Sequence, residues 1–183
     1  MKTAFKTIDS SRISISELML PSHSNFSGKI HGGYILNLMD QIAFACASRH
    51  SRHYCVTASV NKVDFLNPID VGELVTLKAS INYTGRTSMV VGVRVESENI
   101  QTGKTKHCNS SYFTMVAKDD DGNNVSVPGI ILNNEQSIRR FSRSITRQEQ
   151  TRKRSHKFKS SKFKIDEHLY LLKNHNAKIE LKN

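Results

Sequence analysis

The sequence predicts an α+β fold in which a long antiparallel sheet wraps around one central helix, followed by a basic helix and tail. Three observations carry this. One sixteen-residue stretch has helical spacing and apolar residues on almost every side. It is followed by a series of long segments that alternate polar and apolar. Nearly all of the net charge lies in the last quarter of the chain.

Residues 12–20 alternate weakly (Ile13, Ile15, then Leu18 to Leu20) and read as a first strand, ended by Pro21. From Tyr34 to about Arg49, apolar residues fall at 35, 36, 38, 39, 42, 43, 45 and 46, so the rod of about 24 Å is a buried helix. Residues 55–66 form a strand closed by Asn67-Pro68. In 73–83, Val75, Leu77, Ala79, Ile81 and Tyr83 share one face. Gly85 marks a turn, and 87–98 alternate again through Met89, Val91, Val93 and Val95. Residues 101–104 form a hairpin turn and 105–117 the last long strand, and the core ends at the polar cluster 119–124. Such strands are about twice the usual length, and a curved sheet with two open edges invites self-association. Ile138, Phe141 and Ile145 are spaced by three and four in a helix over 135–155 studded with arginines. The like-charge run from Arg152 to Lys164 is expected to be disordered, and Leu169, Leu171 and Leu172 close the chain as a short amphipathic piece. The expected organisation is a domain over 1–134, a basic helix over 135–155 and a basic, disordered tail over 156–183.

The charge is not shared evenly. Residues 1–135 carry 13 basic and 12 acidic side chains, and 136–183 carry 14 and 4. The basic character therefore describes the tail and not the domain. Nucleic acid or an anionic membrane surface are the partners such a tail would suit, the plain alternative being a solvated extension. Three cysteines (Cys46, Cys55, Cys108) without a CxxC spacing argue against a disulfide framework and a zinc site and fit a reducing compartment. No apolar leader or spanning segment is present in the sequence, so a soluble, cytoplasmic protein is expected.

Chemistry concentrates between Asn25 and Asp40. Gly28, Gly32 and Gly33 allow tight bends and close approach of backbone to a ligand. The N–H groups entering the helix at Gly32 to Ile35 lack intrahelical partners and carry the positive end of its dipole, so they suit a developing oxyanion. Asp40 lies two turns on, among Leu36, Ala43 and Phe44; desolvation there would raise its pKa and make it a better base than a surface Asp. Each piece also has an ordinary use: the glycines as a turn, Asn25 as a cap, His31 as a satisfied loop or core histidine, Asp40 as a carboxylate paired across a subunit contact.

Taken together, Asn25-x2-Gly28-x2-His31-Gly32-Gly33-x6-Asp40 resembles the hot-dog-fold acyl-CoA thioesterases that hydrolyse fatty acyl-CoA in the cytoplasm. Asn67-Pro68-x3-Gly72-Glu73, Gly85-Arg86-Thr87-Ser88-Met89 and Pro128 before a basic helix resemble the same family, over roughly residues 12–155. The resemblance implies five or six antiparallel strands around one helix. It also implies a dimer joined sheet edge to sheet edge, with sites at the interface, and commonly a hexamer of three dimers. By position, Asp40 would activate water or act as nucleophile, Gly32 with Gly33 would supply the oxyanion hole, and Asn25 would come from the partner subunit. His31 would be auxiliary, and Gly85, Arg86, Thr87 and Ser88 would follow the CoA arm. No metal or cofactor is expected, because a thiolate leaves readily and one base with one oxyanion donor can suffice. The alternatives are a non-catalytic acyl-CoA-binding module using the tail as effector arm, and a hydratase or dehydratase on the same fold.

Overall fold

The computed structural model describes residues 4–160 and the isolated positions Leu169 and Asn176. The elements are β1 (Phe5–Thr7), β2 (Ile13–Leu18), α1 (Gly32–Ser51), β3 (Tyr54–Val60), β4 (Asp64–Phe65), β5 (Leu74–Thr84), β6 (Ser88–Asn99), β7 (Lys104–Lys118), β8 (Gly129–Ile131) and α2 (Glu135–Ser160). Short 3-10 turns occupy Ile8–Ser10 and Pro21–His23. The chain divides into two compact units, Met1–Ile145 and Thr146–Asn183, with the boundary inside α2.

The main sheet is antiparallel, in the order β2-β5-β6-β7-β3, with β4 pairing to β7 past the end of β3. Its long members pair over ten residues or more, each pairing stepped once by a bulge: at Asn82 between β5 and β6, and at Cys108 between β6 and β7. The first bulge buries Asn82 and puts Tyr83 opposite Val90, off the face of Val75, Leu77, Ala79 and Ile81 that the alternation gave it. Leu74 lies opposite Glu98 and Thr84 opposite Met89, while Ser88 lies opposite Val116 and Asn99 opposite Lys104. Alternate residues of β5, β6 and β7 (Val75, Leu77 and Ile81; Val91 and Val95; Phe113 and Met115) are buried with Ile35, Met39, Ile42, Ala43 and Cys46 of α1. The helix fills the hollow of the sheet, which is why its sequence is apolar on so many sides. Burial pushes the Cys46 thiol up to about 12, against the pull of Arg49, so this sulfur is a core atom bonded to the Ser11 carbonyl. All three cysteines are free and buried.

Caps fix the ends of α1. His31, in extended conformation, accepts the Gly33 N–H on Nδ1 at 3.2 Å. At the other end Arg52 adopts φ 64°, and its N–H returns to the Ser48 carbonyl at 2.8 Å. This left-handed stop is a C-terminal motif usually given to glycine. Arg49 occupies the last turn, where the dipole favours positive charge.

Three expectations are corrected. The strand over 55–66 is two strands, because a bulge between Thr57 and Ser59 turns β3 and the chain detaches after Val60 before rejoining β7 as β4. The core does not end at 119–124: Val127 and Ile130 are buried, and β8 pairs in parallel with β1, a strand the alternation did not announce. In α2 the expected stripe is only partly inward. Phe141 rests on Tyr83 with ring centroids 4.9 Å apart, but Ile138 and Ile145 stay 52% and 40% exposed, while Ser137 and Ser144 are buried. Small side chains let this helix lie close, and the isoleucines flank that contact instead of making it. The helix also continues to Ser160, past the start of the basic run. The expected disorder of 161–183 and the amphipathic piece with Leu171 and Leu172 lie outside the described residues.

Candidate active site

The loop before α1 is built around Asn25. Its Oδ1 accepts from Ser27 N (2.9 Å), Ser27 Oγ (2.7 Å) and Lys29 N (3.2 Å), and Gly28 at φ 74° closes the turn. Three donors on one oxygen fix the amide's orientation and leave Nδ2 as the outward-facing donor. The loop is pinned beside the helix start by Ile30 N to the Ile69 carbonyl and His31 N to the His23 carbonyl, both 2.9 Å. Lys29 pairs with Asp70, and Phe26 at the tip is fully exposed.

At the helix start the N–H groups are not equivalent. The Gly33 N–H is taken by His31 Nδ1, and the Tyr34 and Ile35 N–H groups reach the His31 carbonyl at 3.0 and 3.3 Å. The Gly32 N–H has no hydrogen-bond partner among the described residues. His31 is thus a cap that consumes the Gly33 donor and not its neighbour's. A Cβ on Gly32 would lie 3.2 Å from the Phe65 ring, so β4 closes one side of this spot.

Asp40 lies eight residues on, about 12 Å along the axis. Thr57 Oγ1 donates to Asp40 Oδ1 at 2.6 Å, a short charge-assisted bond across from β3. The two residues line a cavity of about 540 Å³ whose other walls are Gln41, Phe44, Tyr54, Cys55 and Val56. Phe44 and Tyr54 meet edge to face at 5.6 Å, giving the cavity an aromatic wall. The apolar surroundings expected of Asp40 are incomplete in the single chain. Leu36 is half-buried, Phe44 is exposed, and the carboxylate opens onto the cavity. Thr57 was not singled out from the sequence. It stands on another element, and a threonine in a strand carries no signal of its own.

The turn at Gly85–Ser88 is tied down by Gly85 N to the Ser88 carbonyl (2.8 Å), Val127 N to the Arg86 carbonyl (2.9 Å) and Ala117 N to the Thr87 carbonyl (3.1 Å). Through the pairs Thr57–Met115 and Met115–Met89 it sits level with Asp40 but two strands in from the β3 edge. It lies away from Gly32, which neighbours Phe65 at the N-terminal end of the helix. A single chain therefore brings together Asp40 with Thr57, and Asn25 with His31 and Gly32, as two separate clusters. Among the described residues no three His, Cys, Asp or Glu side chains are grouped to hold a metal ion, and no helix is long and apolar enough to cross a membrane.

Residues 27–104 match the family model described as the thioesterase superfamily, a span that contains both clusters except Asn25, together with the Gly85 turn. A Helicobacter pylori protein called VdlD is 43% identical over 143 residues, 78% of this chain and 82% of its own. A solved structure described as an apo-hexameric acyl-CoA thioesterase is 36% identical, covering 83% of this chain and 97% of its own, with a TM-score of 0.81. The chain belongs to the thioesterase superfamily. Its curled antiparallel sheet around a long helix is the hot-dog fold. A third similar protein is an acyl-CoA hydrolase from Staphylococcus aureus, solved with butyryl coenzyme A, coenzyme A and coenzyme A disulfide. It is 29% identical, covers 85% of this thioesterase-superfamily chain and 94% of its own, and gives a TM-score of 0.78.

Proposed function

We propose that this protein is an acyl-CoA thioesterase, hydrolysing fatty acyl-CoA to free fatty acid and CoA. The observation that carries the assignment is the Asp40–Thr57 pair lining a cavity with an aromatic wall, on a chain whose Gly32 N–H has no partner among the described residues. Asp40 takes a proton from water, whose oxygen bonds to the thioester carbon. The carbonyl oxygen becomes an oxyanion that accepts from the Gly32 N–H. Collapse breaks the C–S bond and the CoA thiolate leaves, with the proton returned from Asp40. Direct attack by Asp40, followed by hydrolysis of the anhydride, uses the same groups.

Solved variants of the Staphylococcus aureus hydrolase support these residues. An Asn, an Asp and a Thr were each replaced there by Ala. Their spacing along that chain, 15 and then 17 positions, equals that of Asn25, Asp40 and Thr57 here.

Helix geometry bears on which copy supplies what. The Gly32 N–H points out of the helix N-terminus, away from Asp40, and the two lie about 12 Å apart along the axis. A carbonyl held at Gly32 is then beyond reach of a water held by Asp40 of the same chain. This favours a site in which Gly32 and Asn25 of one copy face Asp40 and Thr57 of a second, in place of the same-chain Gly32–Asp40 pairing expected from the sequence. The exposed β3 edge, which carries Tyr54 and Val60, and Phe65 of β4 suit that contact, within a dimer or a hexamer of three dimers. Gly85, Arg86, Thr87 and Ser88 would line the CoA arm, with Arg86 available to its phosphates. No cofactor is needed, and three free buried thiols suit the cytoplasm.

Thiol release from a panel of acyl-CoA chain lengths, followed with a chromogenic disulfide, tests the proposal. Saturable release above the buffer rate is expected. Saturable binding without release would replace the enzyme with a binding module.

A further inference from the structure

Away from the Asp40 cavity, a second and smaller cavity of about 130 Å³ lies between the first 3-10 turn, the start of β2 and the start of α2. Its walls include Arg12, Arg140, Asp9, Asn133 and Gln136. We infer that it binds a phosphate-sized oxyanion. The inference rests on this geometry and does not depend on the thioesterase reading.

Two arginines line one small space whose wall contains a single carboxylate. That carboxylate, Asp9, is already paired with Arg12 Nη1 at 2.7 Å. Arg140 is half-buried and makes no ion pair with any carboxylate among the described residues. The charged groups acting on it are Arg12 and Arg139, which repel it, and the Tyr112 hydroxyl. Burial foremost, and then Arg12, holds its pKa below the usual arginine value, so an anion between the two arginines would relieve an existing repulsion.

Neutral donors converge on the same place. Asn134 caps α2 by accepting the Ser137 N–H at 2.8 Å, and the Ile138 N–H returns to the Asn134 carbonyl at 3.1 Å. The N–H of Gln136, a wall residue, precedes the first helical bond and has no partner within α2. Asn133 uses Oδ1 to accept from Asn134 Nδ2 at 3.0 Å, which leaves its own Nδ2 to donate. Volume sets the ligand class. The space equals about four waters, room for one phosphate group, and is well below the roughly 300–1,000 Å³ of sites that hold whole small molecules. A nucleoside does not fit.

The oxyanion has two sources, free inorganic phosphate or the phosphate monoester of a CoA substrate. The full chain is titrated with inorganic phosphate by calorimetry, as the parent and as Arg140→Met, Arg140→Lys and Arg139→Met. Saturable millimolar or tighter binding is expected in the parent. It should weaken about tenfold or more in Arg140→Met, recover in part in Arg140→Lys, and stay unchanged in Arg139→Met, whose side chain lies outside the cavity. No saturable binding by the parent, or equal binding by parent and Arg140→Met, overturns the inference. If Arg140→Met does not fold, the Arg140→Lys and Arg139→Met comparison decides it in the same way. The KM for an acyl-CoA and for its 3′-dephospho analogue identifies the source. A rise confined to the phosphorylated substrate in Arg140→Met points to CoA, and no change in either points to free phosphate.

Discussion

Replacing Thr57 by valine removes one hydroxyl and keeps the β-branched shape of a residue in an exposed edge strand. The parent bond, Thr57 Oγ1 to Asp40 Oδ1 at 2.6 Å, is a hydroxyl donating to a carboxylate. Bonds of that kind are worth about 1.5–3 kcal/mol, because the acceptor is charged. Asp40 has no other side-chain hydrogen bond in the described residues, so the loss frees the carboxylate to rotate out of line. If the full bond energy serves to hold Asp40 in its reactive orientation, kcat falls about 10- to 150-fold. KM should move little, since the hydroxyl touches the base and not the acyl chain. Thermal stability should fall by at most about 3–12 °C, the same bond energy read as unfolding free energy, and by less where solvent replaces the hydroxyl at this exposed site, since the backbone pairing with Met115 is kept. The assay is initial-rate thiol release over a range of acyl-CoA concentrations, with Thr57→Ser as the rescue. A kcat for Thr57→Val within a factor of two of the parent would show that Asp40 is oriented by something else.

Two further predictions concern stability. His50 is wholly buried, with Nε2 donating to the Pro128 carbonyl (3.0 Å) and Nδ1 beside Ser11 Oγ (3.2 Å). Burial lowers its pKa, opposed by the Pro128 bond and assisted by Lys6. The stability it contributes is complete above the unfolded value near 6.5 and falls as pH drops from there towards the folded value. The slope is at most about 1.4 kcal/mol per pH unit. Urea melts at pH 7.5 and 5 should show a smaller loss for His50→Gln than for the parent, and equal losses would remove His50 from the account. Burial works to raise the pKa of Glu73, but bonds from Lys106 (2.8 Å) and Ser97 (2.5 Å) outweigh it and lower the value. Its contribution is therefore present above about pH 4.5 and lost as pH falls through the folded value. Glu73→Gln should cost about 1–3 kcal/mol at neutral pH and flatten the acid limb of stability; an unchanged acid limb would contradict this.

The bounds of β5, β6 and β7 were legible almost to the residue because alternation persists over most of each strand, while the bulges at Asn82 and Cys108, which shift the register and turn Tyr83 to the other face, left no mark in the pattern. Short elements were not. The three residues of β1 and of β8 are too few to show a period, and their pairing joins positions more than 120 residues apart. The break between β3 and β4 was hidden because Asn61-Lys62-Val63 contains neither glycine nor proline, and a bulge leaves no mark in composition. The start of α1 was placed two residues late because two glycines are poor helix formers and histidine is an unusual cap. Within the site, the Asn25-to-Asp40 spacing was readable because it is local. Thr57 was not, since its role depends on β3 passing the helix at Asp40. The division of Gly33 from Gly32 by His31 is a matter of side-chain geometry that a motif does not carry.

The sharing of one site between two copies is tested by mixing two disabled chains. Gly32→Pro deletes the N–H at the first helical position, where the extended His31 is compatible with it and the Phe65 ring, 3.2 Å from a Cβ placed there, must give by a few tenths of an ångström. It should lower kcat about 10²- to 10³-fold, and Asp40→Asn by a comparable or larger factor. Unfolded together and refolded one to one, half the dimers hold one chain of each kind, and each of those has one intact site. Thiol release should therefore recover to about a quarter of the parent rate. A mixture no more active than the two variants alone would contradict it, and would place Gly32 and Asp40 of one chain at one carbonyl.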